Sequence, residues 1–598
     1  MTGAAAWLMV AAPALAGAAG LLLSFKDRVR AAALAVFAAG LAWIAAAGLV
    51  VANTDTVVAA DWARFGNVTL TVNVKLSPTS TAVALAVVTV ALLVQVYSIA
   101  HQRDDDRYVP YAAQISIFTA AMLLVVTADD LIVMLIGWEV MGACSYLLIG
   151  HDRRLAQAPA AAIKAFLVTR FGDAGFLMGV LLLGLNAGTF RVSAILASDA
   201  LDPAVVTAAS VLILAGAVGK SAQFPLHTWL PDAMAGPTPI SALIHAATMV
   251  AAGVYVLVRL LPLYPAPVLD LVAVIAAVSM LLAACAALTT HDLKRVLAWS
   301  TVSQVAFMFV AVAVSAPDAA VFHLLSHAGF KALLFLAAGV VIGMTGHNTM
   351  ARIGGLRRAA PVTFWALTLG FAALAGIPPL SGFWSKEAIM TAAAQNPPLF
   401  IVAVVTVVLT AAYCTRAWLL TCFGDGNGDA TPDGRVRDPE PLRRGPLIVL
   451  AVPSVAGGAI AWSPVVSSHN ALNLGYTAIV FAATACGVAA SYGYWRLRDR
   501  ADPADALGRA GRVFAAGFHF DALQHRLVVR PLLAVATVVR FVDERVVDGV
   551  VEHGAKAPNV FAKSLAATQR LGLPGHLVST VGGIVVVAVV STACTVLL

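Results

Sequence analysis

The most regular feature of the sequence is a series of continuous apolar runs separated by short polar segments. Each run is about 20 residues long, the length that an α-helix needs to cross the hydrocarbon of a bilayer. A membrane β-barrel would instead show alternation over segments of about 10 residues. The pattern therefore predicts an all-α polytopic membrane protein. About sixteen runs reach the length of a span, and they lie near residues 4–24, 31–53, 79–100, 111–128, 131–149, 161–186, 204–236, 238–260, 268–288, 297–315, 319–345, 361–393, 400–422, 446–463, 474–495 and 576–597.

The composition agrees with this prediction. Of the 598 residues, 60% are hydrophobic and 12% are charged, whereas soluble domains carry about 25% charged residues. A single soluble domain, a disordered chain and a disulfide scaffold are therefore excluded. The 6 cysteines are scattered and form no Cys-x-x-Cys pair, so the sequence indicates neither a metal site nor an iron–sulfur cluster.

The basic residues are unevenly distributed between alternate connections. Connections after odd-numbered runs, up to the thirteenth, carry most of the Lys and Arg residues, whereas those after even-numbered runs carry few. Because cytoplasmic loops of membrane proteins are enriched in Lys and Arg, the odd connections are expected in the cytoplasm. Both termini are then expected on the non-cytoplasmic side.

Two of the runs contain prolines at positions that should interrupt a helix. Pro225 and Pro231 lie inside or just after the seventh run, and Pro378 and Pro379 lie inside the twelfth. Proline removes a backbone donor and kinks a helix, and a broken helix at membrane depth must face protein or a wet cavity. Because five runs separate the breaks, runs 4–8 and 9–13 are expected to be two inverted repeats, an arrangement found in ion transporters.

These features divide the chain into six segments. N-terminal helices are followed by the first repeat, the second repeat, two further helices, a long polar segment and an anchor helix. Their predicted boundaries are 1–110, 111–260, 261–423, 424–495, 496–575 and 576–598.

Segment 496–575 is too polar to span a membrane, yet its apolar residues recur at helical spacing. It is either a cytoplasmic linker or soluble tail helix, or a lateral amphipathic helix lying along the membrane surface or along neighbouring subunits. The apolar run that follows it favours the lateral helix.

Several ionisable residues lie inside the apolar runs, where each charge costs at least about 2.5 kcal/mol at mid-bilayer. Such residues must pair or face a polar interior, and they are the functional candidates. One alternative is a purely structural role, in which static ion pairs such as Arg170 with Asp173 fix helix packing; a lone histidine can equally be a packing residue. The candidates are Glu139, Arg170, Asp173, Lys220, His245, His323, His327, Lys331, Lys386 and Glu387.

The spacing of the central candidates favours proton transfer. His323, His327 and Lys331, here called the central stripe, recur every fourth residue and share one helix face about 12 Å long. Lysines outnumber the well-buried acids in this block, so static pairing does not account for all of them. Burial favours the neutral amine of a lysine and a carboxylate favours the ammonium, so a Glu139–Lys220 pair would act as a proton switch. Na⁺ is less favoured as the transported ion, because few carboxylates cluster into an oxygen cage.

At these residues the sequence resembles a known family, the antiporter-like subunits of respiratory complex I. The similar segments are GKSAQFPLHTWLPDAMAGPTPISALIHAATMVAAGVYVLVR, HDLKRVLAWSTVSQVAFMF and FHLLSHAGFKALLFLAAGVV, and WEVMGACSYLLIG and AFLVTRFGDAGFLMG fit the same subunits. The resemblance runs through nearly the whole chain. It is strongest for the L subunits of bacterial NADH–quinone oxidoreductases, whose lateral helix and anchor the C-terminal segment resembles.

The resemblance implies roles for the buried charges. Glu139 and Lys220 match the glutamate–lysine pair of the family's first half-channel, with Arg170 and Asp173 as supporting charges nearby. These four residues would belong to one half of the proton route.

The remaining candidates match the rest of that route. His245 and the central stripe match the family's central hydrophilic axis, and Lys386 matches the lysine of the second broken helix, near the proton exit. Glu387 stands where relatives often have Asp. The resemblance thus implies a proton-pumping, membrane-arm subunit of an NADH:quinone oxidoreductase.

In such an enzyme the redox reactions occur in other subunits. Flavin, iron–sulfur clusters and quinone are therefore expected in partner subunits, and no cofactor is expected in this chain. The expected partners are other membrane-arm subunits, contacted partly through the lateral helix in a bacterial plasma membrane, and not nucleic acid. The alternative is a subunit of an Mrp-type Na⁺/H⁺ antiporter or of a related hydrogenase or bicarbonate-uptake complex, because these share the central motifs.

Overall fold

Fifteen helices dominate the structure. The computed structural model of the chain describes residues 2–22, 27–65, 68–423, 438–463, 465, 473–570 and 572–597. Within these residues, fifteen helices are long and apolar enough to cross a membrane, which confirms the prediction of an all-α polytopic membrane protein. The chain forms two compact units, Met1–Phe518 and His519–Leu598, and each is described by itself.

The first unit begins with three long helices and a β-hairpin. The hairpin is antiparallel, with Thr56 opposite Leu76 at its open end. It is missing from the sequence prediction, because its alternating Val and Thr residues occupy a connection between two spans and are too polar to form one. The bounds are α1 Thr2–Leu22, α2 Arg28–Ala52, β1 Thr56–Phe65, β2 Val68–Leu76 and α3 Pro78–His101.

Helices α4 to α11 occupy the predicted first repeat. The seventh apolar run does not form one helix, because α8 ends at Lys220, Pro225 lies in the non-helical segment that follows, and Pro231 lies in the single turn α9. The bounds are α4 Tyr108–Thr127, α5 Leu131–Ile149, α6 Gln157–Ala187, α7 Val192–Leu196, α8 Pro203–Lys220, α9 Trp229–Asp232, α10 Thr238–Ala246 and α11 Met249–Arg259.

Helices α12 to α18 occupy the predicted second repeat, and the twelfth apolar run is again divided. Helix α16 is capped by Gly376, whose φ of 86° is left-handed, a conformation that glycine adopts without strain. Pro378 and Pro379 follow before α17 begins. The bounds are α12 Ala266–Thr289, α13 Leu293–Ala313, α14 Pro317–Thr345, α15 Leu356–Ala359, α16 Pro361–Ala375, α17 Ser381–Ala393 and α18 Pro397–Phe423.

The first unit ends with α19 Pro441–Ala456, α20 Leu474–Leu497 and the short α21 Gly508–Ala515. The second unit is one long helical stretch followed by an apolar helix. In that stretch, α22 Phe520–Gln524, α23 Arg530–Val542 and α24 Asp548–Gln569 are joined by the π-helical turns His525–Val529 and Asp543–Val547. The 50 residues from α22 to α24 would extend about 75 Å, and their described side chains are almost all exposed. The final helix is α25 Gly572–Leu597.

Aspartates fix the start of three helices that carry the site. Asp130, Asp202 and Asp292 accept hydrogen bonds from first-turn amides of α5, α8 and α13, respectively. An N-cap carboxylate satisfies amides that have no partner within the helix and interacts favourably with the helix dipole. Single polar residues at the ends of apolar runs therefore define where these helices begin.

One contact recurs in both predicted repeats, α4–α11 and α12–α18, here called the first and second sets. Arg259, at the end of α11, donates to the carbonyl oxygen of Ala128 between α4 and α5. In the second set, Arg416 of α18 donates to the carbonyl oxygen of Thr290 between α12 and α13, and it also makes a two-point ion pair with Asp502. Each set thus holds the connection between its first two helices with an arginine from its last helix. The division into inverted repeats stays a prediction, which this likeness favours.

Candidate functional site

The first buried ion pair of the site joins α8 to α6. Lys220 places its Nζ 3.2 Å from Oδ2 of Asp173, and both side chains are buried. The indole N–H of Trp138 donates to the other carboxylate oxygen at 2.6 Å, and Nζ of Lys220 lies 5.5 Å from the centre of the indole ring. The ring in turn stacks on Phe176 with 4.5 Å between centroids. The tryptophan therefore orients the carboxylate that binds the lysine.

Gly142 of α5 makes room for this lysine. A Cβ built at Gly142 would lie 2.5 Å from Nζ of Lys220, much closer than a carbon and a nitrogen approach each other without a bond. The close approach of the ammonium to α5 therefore requires glycine at this position.

Glu139 pairs with Arg170 and not with Lys220. The side chains of Glu139 and Arg170 are 30% and 38% exposed, respectively, whereas Lys220 binds Asp173. The expected Glu139–Lys220 pair is therefore wrong for this structure, and so is static pairing of Arg170 with Asp173. The physical reason is the rotation of α5: neighbouring residues differ by about 100° around a helix, and Trp138 faces the interior.

The first helix break is held by side chains that bond to backbone carbonyls. The Trp229 indole N–H donates to the carbonyl oxygen of Gly219 at 3.0 Å, and the Ser221 hydroxyl donates to that of Val250 at 2.8 Å. Backbone groups that leave a helix at membrane depth need such partners. These bonds allow the chain to depart from helical geometry directly after Lys220.

The candidate histidines lie on α10 and α14, which pack together. His245 is fully buried, and its ring lies 4.7 Å from that of Phe335; neither ring nitrogen has a hydrogen-bond partner among the described residues. Nδ1 of His327 lies 3.2 Å from the carbonyl oxygen of Ala246. The rings of His327 and His323 are 6.3 Å apart. The structure therefore brings His245 and the central stripe into one region.

The ends of the central stripe contact two other helices. Nδ1 of His323 lies 2.9 Å from Oγ of Ser385 in α17. At the other end, Nζ of Lys331 donates to the hydroxyl of Ser300 at 2.5 Å and to the carbonyl oxygen of Leu297 at 3.1 Å, both in α13. The central stripe, on α14, therefore contacts α13 at one end and α17, which follows the second helix break, at the other.

The second break carries the last two candidates. Nζ of Lys386 donates to the carbonyl oxygen of Leu374 at 2.5 Å and lies 5.9 Å from the centre of the Phe307 ring. Glu387 is 7% exposed, and its carboxylate accepts a hydrogen bond from the Thr391 hydroxyl at 3.0 Å. A buried lysine and a nearly buried carboxylate thus stand side by side in α17.

The three candidate lysines have different partners. Lys220 is bound by a carboxylate, whereas the partners found for Lys331 and Lys386 are carbonyl and hydroxyl oxygens. Such oxygens accept a hydrogen bond from either an ammonium or a neutral amine. Lys331 and Lys386 can therefore change protonation state without leaving these oxygens unpaired. The arrangement is suited to relaying protons.

Neutral residues next to the charges are missed by the sequence analysis. Trp138, Ser300 and Ser385 each contact a titratable side chain directly, and Gly142 provides space for one. Neutral polar side chains are tolerated throughout buried helices, so their type alone marks no site. The available signal is adjacency, since Trp138 precedes Glu139 in the sequence and Ser385 precedes Lys386.

Two family models match the chain. The model described as the transmembrane part of NADH:quinone oxidoreductase/Mrp antiporter matches residues 128–410. The model described as NADH-ubiquinone oxidoreductase (complex I), chain 5 N-terminus, matches residues 62–112. The first match includes every candidate residue of the site.

Comparison with known proteins gives the same family. The chain is 37% identical to NADH-quinone oxidoreductase subunit L of Mycobacterium tuberculosis over 97% of each chain. Some relatives are matched over less of their length, such as 58% for NAD(P)H-quinone oxidoreductase chain 5 of Synechocystis sp., at 42% identity.

Solved structures share the fold. A chain of the Mrp complex from Dietzia sp. DQ12-45-1b matches with a TM-score of 0.74 and 28% identity, covering 94% of this chain and 63% of that one. A chain of respiratory complex I from Thermus thermophilus matches with a TM-score of 0.67 and 22% identity, covering 81% and 99%, respectively. At that identity, the second match shows the fold alone.

Proposed function

Because this chain belongs to the L/5 subunit family of the NADH:quinone oxidoreductases, we propose that it carries protons across a bacterial plasma membrane through its buried charges. The observation that supports this most directly is the series of buried titratable side chains that begins at Lys220 and ends at Lys386. An unpaired charge facing lipid is costly, so such a series inside one membrane protein indicates an ion route.

The Lys220–Asp173 pair would be the gate of the first half. While the carboxylate of Asp173 stays close, it favours the ammonium form of Lys220; when the pair is weakened, burial favours the neutral amine and a proton is released. The Trp138 indole holds the carboxylate in place for this exchange. Glu139 and Arg170, which are partly exposed, would modulate the gate from the surface of the chain.

The released proton would continue through His245 and the central stripe to Lys386. Imidazole nitrogens both donate and accept, so histidines at helical spacing can pass protons when water bridges them. Ser385 contacts the end of the stripe and precedes Lys386 in α17. Glu387 would accept the proton on the exit side.

Energy must enter this route from outside the chain. Moving one charge against the membrane potential requires roughly 2.3 kcal/mol per 100 mV. Breaking a buried ion pair such as Lys220–Asp173 costs about 3–5 kcal/mol. The two energies are comparable, so separating this pair would change the protonation preference of Lys220 by about as much as the membrane potential opposes one transfer.

The proposed direction of transport, from the cytoplasm outward, is taken from the proton-pumping family. The basic connections support a separate proposal, that both termini lie on the non-cytoplasmic side. Flavin, iron–sulfur clusters and quinone would be bound by partner subunits. The α22–α24 stretch would lie against neighbouring membrane-arm subunits as the lateral helix, since its described side chains are almost all exposed.

The second candidate function is that of an Mrp-type cation/proton antiporter subunit without a redox partner. It is favoured by one specific observation, the TM-score of 0.74 against a chain of the Dietzia Mrp complex. The redox-linked function is preferred, because the match to the mycobacterial L subunit covers 97% of both chains.

Purification from native membranes separates the two functions. The chain would be isolated in mild detergent and assayed for NADH:quinone reductase activity and for bound flavin. Co-purification of both supports the redox-linked pump. Isolation with small membrane subunits alone, without flavin and with Na⁺-driven proton movement in vesicles, would support the antiporter instead.

A further inference from the structure

A polar cavity of about 410 Å³ lies at the ends of several helices of the first unit, away from the buried charges described above. Its walls come from the α3–α4 and α5–α6 connections, the segment between α9 and α10, and the adjoining ends of α13 and α14. A cavity of this volume can hold a small ligand. The charged side chains that line it are Asp105, Arg107, Asp152, Arg154 and Lys294.

The two acids in the cavity wall already have basic partners. Nε2 of His151 lies 2.6 Å from Oδ2 of Asp105, and the charge of Arg107 also acts on this carboxylate. Nε of Arg154 lies 3.2 Å from Oδ1 of Asp152. Within the part of the chain that the structure describes, these pairings leave no carboxylate in the wall for a further positive charge.

Lys294 is such a further charge. Its side chain is 5% exposed, and Nζ donates to the carbonyl oxygens of Met234 at 2.7 Å and Gly236 at 2.9 Å. An ammonium has three N–H groups, so one donor remains. Among the described residues, Lys294 forms no ion pair with a carboxylate; the charge of Asp292 acts on it from a greater distance. A buried ammonium without a contacting anion is costly, so this position favours an anionic ligand.

A second cation with an available donor stands beside the cavity. Nη1 of Arg443 lies 3.5 Å from the position of a Cβ built at Gly343, a residue of the cavity wall. Nε of Arg443 is buried and has no hydrogen-bond partner among the described residues, and its ion pair with Glu440 is long, at 3.9 Å. His101, in the wall, is close enough to interact electrostatically with both Arg443 and Lys294. The two cations therefore belong to one cavity.

We propose that this cavity, here called the basic cavity, binds a phosphate group through Lys294 and Arg443. Ammonium and guanidinium groups are the usual donors to phosphate oxygens in proteins, and such charge-assisted hydrogen bonds are strong. The phosphate group comes either from free phosphate or from the headgroup of a phospholipid, because both present the same oxygens. A metal cation is disfavoured here, since the acids of the wall are already paired with bases.

A bound phosphate would also act on the segment that follows the first helix break. Lys294 holds that segment through the carbonyl oxygens of Met234 and Gly236, directly before α10, the helix of His245. A nearby anion favours the ammonium form of a lysine, and an ammonium donates more strongly than a neutral amine. Occupancy of the basic cavity therefore stabilises the attachment of this segment to α13.

Three substitutions in the native complex that contains this chain test the site. Lys294→Gln and Arg443→Gln each remove a charge and keep a side chain that can donate, whereas Lys294→Arg keeps the charge. Lys556→Gln is the matched control, because that lysine is 68% exposed and pairs with Glu552 in the second unit.

The measurement is equilibrium binding of radiolabelled orthophosphate to the purified complex at constant ionic strength, together with the number of phospholipids that the complex retains. We expect Lys294→Gln and Arg443→Gln to bind phosphate roughly tenfold more weakly or worse. Lys294→Arg and Lys556→Gln should bind like wild type. If the headgroup is the ligand, the loss appears instead as fewer retained phospholipids in the two glutamine variants.

Wild-type values for both orthophosphate binding and retained phospholipid in the assembled glutamine variants would overturn the basic cavity as a phosphate site. A cryo-EM map of the complex in phosphate buffer that shows only water between Lys294 and Arg443 would overturn it too. If Lys294→Gln does not assemble, Arg443→Gln decides the matter, because the Arg443 side chain is 22% exposed and is easier to replace. None of these results bears on proton transfer through Lys220 and Lys386, so the proposed function is tested separately.

Discussion

Lys220 and Asp173 form a buried ion pair with 3.2 Å between Nζ and Oδ2, and Trp138 holds the same carboxylate from the other side at 2.6 Å. The lysine next to the first helix break is therefore controlled by α6 through Asp173. Glu139 lies in the neighbouring helix α5, but it is bound to Arg170. This arrangement makes Asp173 the residue whose loss should matter most to Lys220.

Replacing Asp173 by Asn should strongly impair pumping. Without the carboxylate, burial favours the neutral amine of Lys220. Restoring the ammonium form that passes the proton on then costs about 3–5 kcal/mol, so a transfer step through Lys220 should slow by roughly a hundredfold or more. Proton uptake by proteoliposomes containing the assembled complex is the measurement. Asp202→Asn is the control, because Asp202 caps the N-terminus of α8, the helix that ends at Lys220. Equal pumping by the two variants would rule out a gating role for Asp173.

The pumping rate should depend more on the charge at position 139 than on the length of the side chain there. Glu139→Gln leaves Arg170 without its carboxylate, whereas Glu139→Asp keeps a negative charge nearby. We expect the Glu139→Gln complex to pump more slowly than the Glu139→Asp complex. We also expect Glu139→Gln to be less severely impaired than Asp173→Asn, because the Glu139–Arg170 pair is partly exposed. Initial pumping rates of the three complexes test this order. Indistinguishable rates for the Gln and Asp variants would contradict a role for the charge.

Gly142→Ala should disturb Lys220 directly. Glycine to alanine in a helix normally stabilises it by about 1 kcal/mol, but here the new Cβ would meet Nζ of Lys220 at 2.5 Å, and overpacking typically costs about 1–3 kcal/mol. We expect reduced pumping together with an unchanged or lower melting temperature. Gly48→Ala in α2 is the matched control, because nothing lies within 4 Å of its added Cβ. A wild-type pumping rate in Gly142→Ala would show that Lys220 tolerates displacement.

Asp502→Asn should destabilise the chain at neutral pH and much less in acid. Burial alone would raise the pKa of Asp502, but hydrogen bonds from His291 and Arg416 and the charge of Arg416 hold it below its usual value. A carboxyl group with a lower pKa in the folded state stabilises above its unfolded pKa of about 3.9, and that contribution is lost as pH falls through the folded pKa.

The loss at pH 7 should approach the roughly 3 kcal/mol typical of a broken buried pair. Thermal unfolding of wild type and Asp502→Asn, followed by tryptophan fluorescence between pH 7 and pH 2, measures it, because the contribution is lost only below the unfolded pKa of about 3.9. A gap between the two melting temperatures that widened toward acid would contradict this assignment.

The apolar runs were sufficient to predict the helices, because length and hydrophobicity alone determine whether a helix can span. They were not sufficient to predict the partner of Lys220. Helix α5 is apolar on all sides, so its sequence contains no polar face that would define its rotation. Whether Trp138 or Glu139 faces inward is decided by tertiary packing, here by the stack of Trp138 on Phe176. The roles of the charged residues stay predictions.

The neutral residues of the site could not be identified from the sequence, for a different reason. Ser300 and Ser385 resemble many other hydroxyl-bearing residues in buried helices, and only their contacts with Lys331 and His323, respectively, distinguish them. The β-hairpin of residues 56–76 could not be predicted from the apolar runs, because its alternating Val and Thr residues lie in a connection between two spans.

The partly exposed Glu139–Arg170 pair has a consequence for biogenesis. Glu139 lies at the middle of α5, at a depth where an isolated chain would present both charges to lipid tails. A newly inserted copy would therefore expose two charged side chains to lipid, a cost that only a neighbouring protein or local thinning of the bilayer can reduce. Orphan copies should be recognised and degraded faster than assembled ones, so that cellular quality control would match the amount of this chain to the supply of its neighbours.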